Sequence, residues 1–144
     1  MAEAILNKLG AGKFHAFSAG SHPKGQEHPE TLRLLQSLGY DTASFRSKSW
    51  DEFAKPRGPD FDFAFTVCDN AAAEECPLWL GQPMTAHWGV PDPASVEGTP
   101  EQVERVFREA FMILERRISL LLCLPLSSLD QLAIKREIDG IGHQ

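Results

Sequence analysis

Residues 61–93 read FDFAFTVCDNAAAEECPLWLGQPMTAHWGVPDP, and this stretch decides the fold. Two apolar runs within it, Phe63–Val67 and Met84–Val90, are predicted to be buried strands because aromatic and β-branched residues dominate and turn-forming residues bound them. The loop between the runs carries two cysteines, Cys68 and Cys76, and an aspartate between two prolines follows the second run. Binding sites in open α/β sheets lie at the carboxyl ends of the strands, so the pattern predicts an active-site rim here.

The sequence on either side of this stretch predicts mainly helices. The predicted helices are Met1–Leu9, Glu30–Leu38, a turn around Trp50–Phe53, Pro100–Leu122 and Leu129–Ile138, and Lys13–Ala19 is predicted as one more short strand. Thr99 is followed three residues later by Gln102, the pattern of a capping box, and Ser127 or Ser128 is expected to cap the last helix. The alternation of elements predicts one α/β domain over residues 1–144, three-layer α/β/α with a parallel sheet, in which residues from about 123 to 144 form a C-terminal helical extension.

Composition and charge narrow the functional class. The chain has 144 residues, a formal net charge of −6 and 42% hydrophobic residues, which fits a globular domain and argues against a general nucleic-acid binder. No apolar run approaches the roughly 20 residues that cross a bilayer, and Met1–Leu9 lacks the pattern of an export signal. With three cysteines, an odd number, we expect a reducing compartment, the cytoplasm.

The cysteines allow three interpretations. Cys68 and Cys76 are eight positions apart, and a flexible loop lets two sulfurs approach, since a disulfide needs Cα atoms within about 7 Å. A zinc site with His87 or His22 as further ligands is an alternative, although no short Cys-x-x-Cys or His-x-x-x-His pair supports it. The third interpretation is that both thiols only pack as small apolar groups. Cys123, in the apolar run LLLCLPL, is predicted to lie in the core.

Asp92 is the second candidate for chemistry. The prolines on both sides restrict the backbone and leave a short carboxylate on a stiff loop, which suits a proton donor. An ordinary turn aspartate is an equal alternative. His87 and Trp88 are expected to be packing residues, and His28 is expected to shape the loop that enters the second helix.

Five segments, in order along the chain, resemble the low-molecular-weight tyrosine phosphatase family, and specifically its arsenate reductase branch: SAGSHP, HPETLRLLQSLGYD, SKSWDEF, FDFAFTVCDNAAAEECPLW and MTAHWGVPDPA. The resemblance runs from Met1 to about Leu122. It implies that Asp92 is a general acid, that Cys68 attacks a thiol–arsenic adduct, and that Cys76 closes a disulfide. It also implies an oxyanion substrate, arsenate or phosphate, and no cofactor. The reductant would be a co-substrate: thioredoxin, a glutaredoxin or another thiol.

The sequence departs from the family pattern at its start. The resemblance implies a leading apolar strand and a Cys-x5-Arg-Ser loop that holds the oxyanion and supplies the first nucleophile, whereas this chain opens on MAEAILNKL, similar to the helix after that loop. The sixth positions after its three cysteines hold Glu74, Gln82 and Leu129, none of them arginine. We therefore expect little or no turnover from these residues alone, because the oxyanion-binding groups and the nucleophile are both missing.

Two expectations follow from that departure. The start is expected to have been placed at an internal methionine, and the sheet without its first strand is expected to have exposed edges that invite pairing into a homodimer. Two other functions stay open. One is a low-molecular-weight phosphatase relative that uses Asp92 as its acid and leaves the cysteines idle, against which stands the single tyrosine, Tyr40. The other is a catalytically silent binding or regulatory protein.

Overall fold

The chain was analysed in a computed structural model that describes residues 1–20, 23–54, 59–68 and 83–144. Within these ranges, two strands, β1 and β2, lie among five helices, α1 to α5. In chain order the elements are α1 (Ala2–Leu9), α2 (Pro29–Ser37), α3 (Asp51–Ala54), β1 (Phe63–Thr66), β2 (Met84–His87), a 3-10 turn (Pro93–Ser95), α4 (Pro100–Leu122), a second 3-10 turn (Leu126–Ser128) and α5 (Gln131–Ile141). None of the helices in these ranges is long and apolar enough to span a bilayer.

The two strands pair in parallel, as the apolar runs predicted. Phe63 lies opposite Met84, and Thr66 lies opposite His87. Backbone hydrogen bonds continue past the ladder: the Trp88 amide donates to the Thr66 carbonyl over 2.7 Å. A parallel pair joined through a long connection and packed with helices is the α/β architecture that the sequence predicted.

Helix α4 is the largest element of the core. It begins and ends close to the predicted residues. Its start is fixed locally by a capping box: the Thr99 hydroxyl accepts from the Gln102 amide, and the Gln102 side chain accepts from the Thr99 amide. Helices α1 and α2 pack against it, and Ile5, Leu35 and Leu121 are almost fully buried between them. The buried face of α4 consists of Phe107, Ala110, Phe111, Leu114, Arg117, Ile118 and Leu121.

Helix α5 covers the outer edge of β2. The Trp88 indole N–H donates to the Ile138 carbonyl over 2.8 Å, and the Lys135 ammonium donates to the Thr85 carbonyl. The prediction for this helix was wrong at its start: it is capped by Asp130, whose carboxylate accepts from the Ala133 amide over 2.7 Å, and not by a serine. The two serines instead belong to the 3-10 turn Leu126–Ser128, while Asp130 has the extended backbone that a cap requires.

Residues 13–19, predicted as a strand, form none. The backbone N–H of Ala16 donates to the Asn7 side-chain carbonyl over 2.8 Å, and the Asn7 amide group donates back to the Ala16 carbonyl over 3.1 Å. A side chain of α1 therefore satisfies the backbone hydrogen-bonding groups of Ala16, at the centre of this segment. Only Gly20, at its end, makes a single parallel bridge, to Ser49.

Cys123 is exposed, so its prediction as a core residue was wrong. It is the C-cap residue that follows α4, two positions after the fully buried Leu121. Successive helical residues are about 100° apart, so Cys123 is rotated by about 200° from Leu121 and faces away from the core. The apolar run LLLCLPL thus includes residues that lie outside the buried face of the helix.

Candidate active site

Cys68 follows β1 at the carboxyl end of the sheet and is half-buried. The residue before it, Val67, accepts a hydrogen bond from the Val90 amide over 2.9 Å, which is the last backbone bond that joins the two strands. Asp92 lies two residues beyond Val90. The structure thus places Cys68 and Asp92 just past the same hydrogen bond, at the end of the sheet where the sequence predicted them.

Asp92 is exposed and its backbone is constrained. One carboxylate oxygen accepts from the Ala94 amide over 3.0 Å and caps the 3-10 turn, while the Ser95 hydroxyl donates to the Asp92 carbonyl over 2.7 Å. Asp92 is therefore a turn aspartate, one of the two interpretations that the sequence left open. The local hydrogen bonds hold its carboxylate in one orientation at the surface, a property that a proton donor also needs.

Trp88 packs in the core at the end of β2, as predicted, whereas His87 is exposed, so its prediction as a packing residue was wrong. Nδ1 of His87 lies 2.7 Å from the Thr66 hydroxyl and joins the strands across the ladder. Trp88 is 2% exposed and stacks on Phe65, with ring centroids 4.1 Å apart. His28 caps α2, since its Nδ1 accepts from the Glu30 amide over 3.1 Å, which confirms its predicted role at the entrance to that helix.

Arg117 reaches from α4 to the segment that leads to Asp92. Its Nη1 donates to the carbonyls of Trp88 and Gly89, each over 2.9 Å, and its Nη2 donates to the Gln144 carbonyl over 3.4 Å. Burial lowers the pKa of the Arg117 guanidinium, but arginine stays charged under ordinary conditions. The guanidinium is therefore a cation held by main-chain oxygens of Trp88, Gly89 and Gln144.

Cys76 and His22 lie outside the described residues, so the pairing of Cys68 with Cys76 stays a prediction. Within the described ranges, no three His, Cys, Asp or Glu side chains lie close enough together to hold a metal ion. Cys68, His87 and Asp92 thus form no metal site by themselves.

Comparison with known proteins decides the family. The family model for low molecular weight phosphotyrosine protein phosphatases matches residues 1–137. The chain belongs to this family. Its α/β fold is therefore the phosphatase-family fold, in agreement with the parallel strands and the helices around them.

Several members of the family that resemble the chain are arsenate reductases. The arsenate reductase of Halalkalibacterium halodurans is 30% identical over 118 residues, which are 82% of this chain and 81% of the relative. That of Shouchella clausii is 31% identical over 108 residues, 75% and 74% of the two chains, and that of Bacillus subtilis is 28% identical over 102 residues, 71% and 70%. The resemblance to the arsenate reductase branch, predicted from the five segments, is confirmed.

The contact of Arg117 with the segment that leads to Asp92 was not predicted from the sequence. A signal was present, because Arg117 falls between Leu114, Ile118 and Leu121 on the apolar side of an amphipathic helix. A charged residue in such a stripe must find polar partners inside the protein. Which partners it finds depends on the tertiary fold, so the sequence alone does not point from Arg117 to Asp92.

Proposed function

We propose that this protein is a thiol–disulfide enzyme of the arsenate reductase type, in which Cys68 and Cys76 are the redox pair and Asp92 is the acid. The observation that supports this most directly is that Cys68 and Asp92 both lie just past the Val67–Val90 hydrogen bond, at the same end of the sheet. Similarity to several proteins named arsenate reductase supports the substrate, arsenate.

The proposed reaction moves two electrons from thiols to arsenic. A first thiol holds arsenic(V) as a covalent adduct, and the Cys68 thiolate attacks the sulfur of that adduct. The sulfur–sulfur bond forms as the sulfur–arsenic bond breaks, and its electron pair leaves with arsenic as arsenite. Cys76 then displaces the first thiol from Cys68, so that a Cys68–Cys76 disulfide remains for an external thiol, such as thioredoxin, to reduce.

The first thiol and the oxyanion site are the parts that these 144 residues do not supply. None of the three cysteines is followed at the sixth position by an arginine, the arrangement that the family resemblance implies for the nucleophile loop. We infer that the chain by itself turns over little or no arsenate, since oxyanion stabilisation is usually the largest contribution to such reactions. A cytoplasmic location fits the proposal because the redox pair must be re-reduced.

The redox pair is tested on the chain as it is. In a Cys123→Ser background, which removes the exposed thiol, mild oxidation with diamide should convert two free thiols into one intramolecular disulfide, seen as Cys68 joined to Cys76 by peptide mapping. Thioredoxin with its reductase should restore both thiols. Matched variants with Cys76→Ser or Cys68→Ser should form no intramolecular bridge. Two unreacted thiols after oxidation in the Cys123→Ser protein would contradict the redox assignment.

A chimera separates the reductase from the phosphatase alternative. With a family segment that contains Cys-x5-Arg-Ser fused before Met1, arsenate reduction should require Cys76, whereas hydrolysis of an aryl phosphate should survive Cys76→Ser and fall on Asp92→Asn. If Cys76→Ser leaves arsenate reduction unchanged, the role of Cys76 is wrong. Hydrolysis of the aryl phosphate without any arsenate reduction in the unsubstituted chimera would favour the phosphatase interpretation of the site.

A further inference from the structure

The segment between β2 and Asp92 has few backbone hydrogen bonds of its own. Trp88 and Val90 donate to β1, but Pro91 has no N–H to donate, and His87 is the last residue in the ladder. The carbonyls of Trp88 and Gly89 are satisfied by a side chain from another element, the Arg117 guanidinium.

The side chain of Arg117 is held in place by its burial and by the packing of its helix. It is 8% exposed and is the only charged side chain among the buried residues that the structure describes. Its neighbours along α4, Leu114, Ile118 and Leu121, are packed in the core, so the helix fixes where the guanidinium can reach. The planar fork of arginine donates two bonds from one nitrogen to adjacent carbonyls without losing much freedom.

The third acceptor of Arg117 comes from the end of the chain. The Gln144 carbonyl lies 3.4 Å from Nη2, and Gly142 packs so closely that a β-carbon there would come within 2.4 Å of the His87 carbonyl. Nε of Arg117 is buried and has no hydrogen-bond partner within the described ranges. The guanidinium therefore sits between α4, the end of α5 and the segment that leads to Asp92.

We propose that Arg117 is a positioning residue for Asp92: by binding the carbonyls of Trp88 and Gly89, it fixes the start of the segment whose other end carries the carboxylate. The proposal rests on the proposed acid role of Asp92. A buried charge is costly compared with an apolar side chain of the same size, and the hydrogen bonds to the Trp88 and Gly89 carbonyls offset part of that cost at the segment that Arg117 holds. Without it, we expect the Val90–Ala94 segment to open locally while the core stays folded.

Two backbone amides report on the segment. The Val90 amide donates to the Val67 carbonyl, and the Ala94 amide donates to the Asp92 carboxylate over 3.0 Å. Hydrogen exchange of Val90, compared with that of Ala110 inside α4, separates local opening from global unfolding. The amide proton shift of Ala94, compared with its value in Asp92→Asn, reports whether the carboxylate still holds its turn.

The expected result is local. In Arg117→Met, exchange at Val90 should be about tenfold or more faster relative to Ala110, and the Ala94 amide shift should move towards its position in Asp92→Asn. Arg117→Lys should restore part of both signals because it keeps a charged donor. The matched control is Arg116→Met, an exposed neighbour with the same charge, and it should change neither signal.

Two outcomes would overturn the proposal. One is a folded Arg117→Met protein with the Val90 exchange and Ala94 shift of the unsubstituted chain. The other is an equal rise in exchange at Val90 and Ala110, which would make Arg117 a contributor to global stability only. If Arg117→Met does not fold, Arg117→Gln, which loses the charge, decides, and an unchanged Val90-to-Ala110 ratio in that variant counts against positioning. Neither readout involves a thiol, so the disulfide test of the proposed function fails or succeeds separately.

Discussion

The ionisation of a single side chain, the phenol of Tyr40, makes the free energy of unfolding depend on pH. Its ring meets Phe111 at a centroid distance of 6.1 Å, and the Lys8 ammonium lies 4.2 Å from the ring centroid. Partial burial, and secondly the negative charge of Glu115, raise the pKa of Tyr40 above its ordinary value. Because the chain has one tyrosine, the ionisation can be followed without ambiguity.

We predict that the phenol of Tyr40 ionises at higher pH in the folded chain than in the unfolded chain, where the pKa is about 10. Between those two values the folded state binds more protons, so the free energy of unfolding should fall as pH rises through that window. Ultraviolet absorbance titration with and without urea measures both midpoints. Tyr40→Phe should remove this contribution, and Glu115→Gln should lower the folded midpoint. A folded midpoint at or below the unfolded one would contradict the prediction.

At the level of elements, the sequence predicted an element well where neighbouring residues determine it, and poorly where distant parts of the chain determine it. The start of α4 was predicted at about Pro100, and the structure agrees because Thr99 and Gln102 fix this start by themselves. Residues 13–19 have the composition of a strand but no ladder partner among the described residues, and such a partner is a property of the whole fold. Cys68 and Asp92 were predicted at one end of the sheet because the alternation of helices and strands predicts parallel strands, whose carboxyl ends meet at one edge. The contacts of Arg117 depend on packing and could not be predicted.

The capping box of α4 should have a measurable effect on stability. Thr99→Ala removes the acceptor of the Gln102 amide, now 3.2 Å away, and we expect it to lower the free energy of unfolding by about 1 kcal/mol. Urea unfolding should show a lower midpoint with an unchanged slope. Arg105→Ala, on the exposed side of the same helix, is the control and should cost less than about 0.5 kcal/mol. Equal effects of the two substitutions would mean that the capping hydrogen bonds contribute nothing measurable.

A buried hydrogen bond joins α5 to the residue after β2, because the Trp88 indole donates to the Ile138 carbonyl. Trp88→Phe keeps an aromatic ring against Phe65 but leaves the Ile138 carbonyl without its donor, so we expect a loss of about 1–3 kcal/mol in the free energy of unfolding. Leu132→Ala, at a residue of α5 that is 71% exposed, should change stability by less than about 0.5 kcal/mol. Denaturant unfolding of both variants checks the prediction. A Trp88→Phe protein as stable as the Leu132→Ala protein would show that the indole bond is replaced by another contact.

At the level of the whole molecule, the two edges of the sheet differ. On the β2 side, α5 covers the edge, and Lys135 occupies the outward carbonyl of Thr85. On the β1 side, the described part of the chain adds no third strand, so the outward backbone groups of Phe63 and Phe65 are in no ladder. This edge has no proline, charge or bulge to prevent pairing, the usual protections of an edge strand.

We propose that the chain self-associates through the outer edge of β1, with two copies paired about a two-fold axis. Sedimentation equilibrium at increasing protein concentration should show a monomer–dimer equilibrium. Hydrogen exchange of the Phe63 and Phe65 amides should slow as the fraction of chains in the dimer rises. Because the β1–β2 ladder already holds the amide of Thr66, its exchange is the internal control and should not depend on concentration. A monomer at all concentrations would contradict the proposal. A dimer in which Phe63 and Phe65 stay unprotected would place the contact elsewhere, since amides that join a new ladder must lose exchange with water.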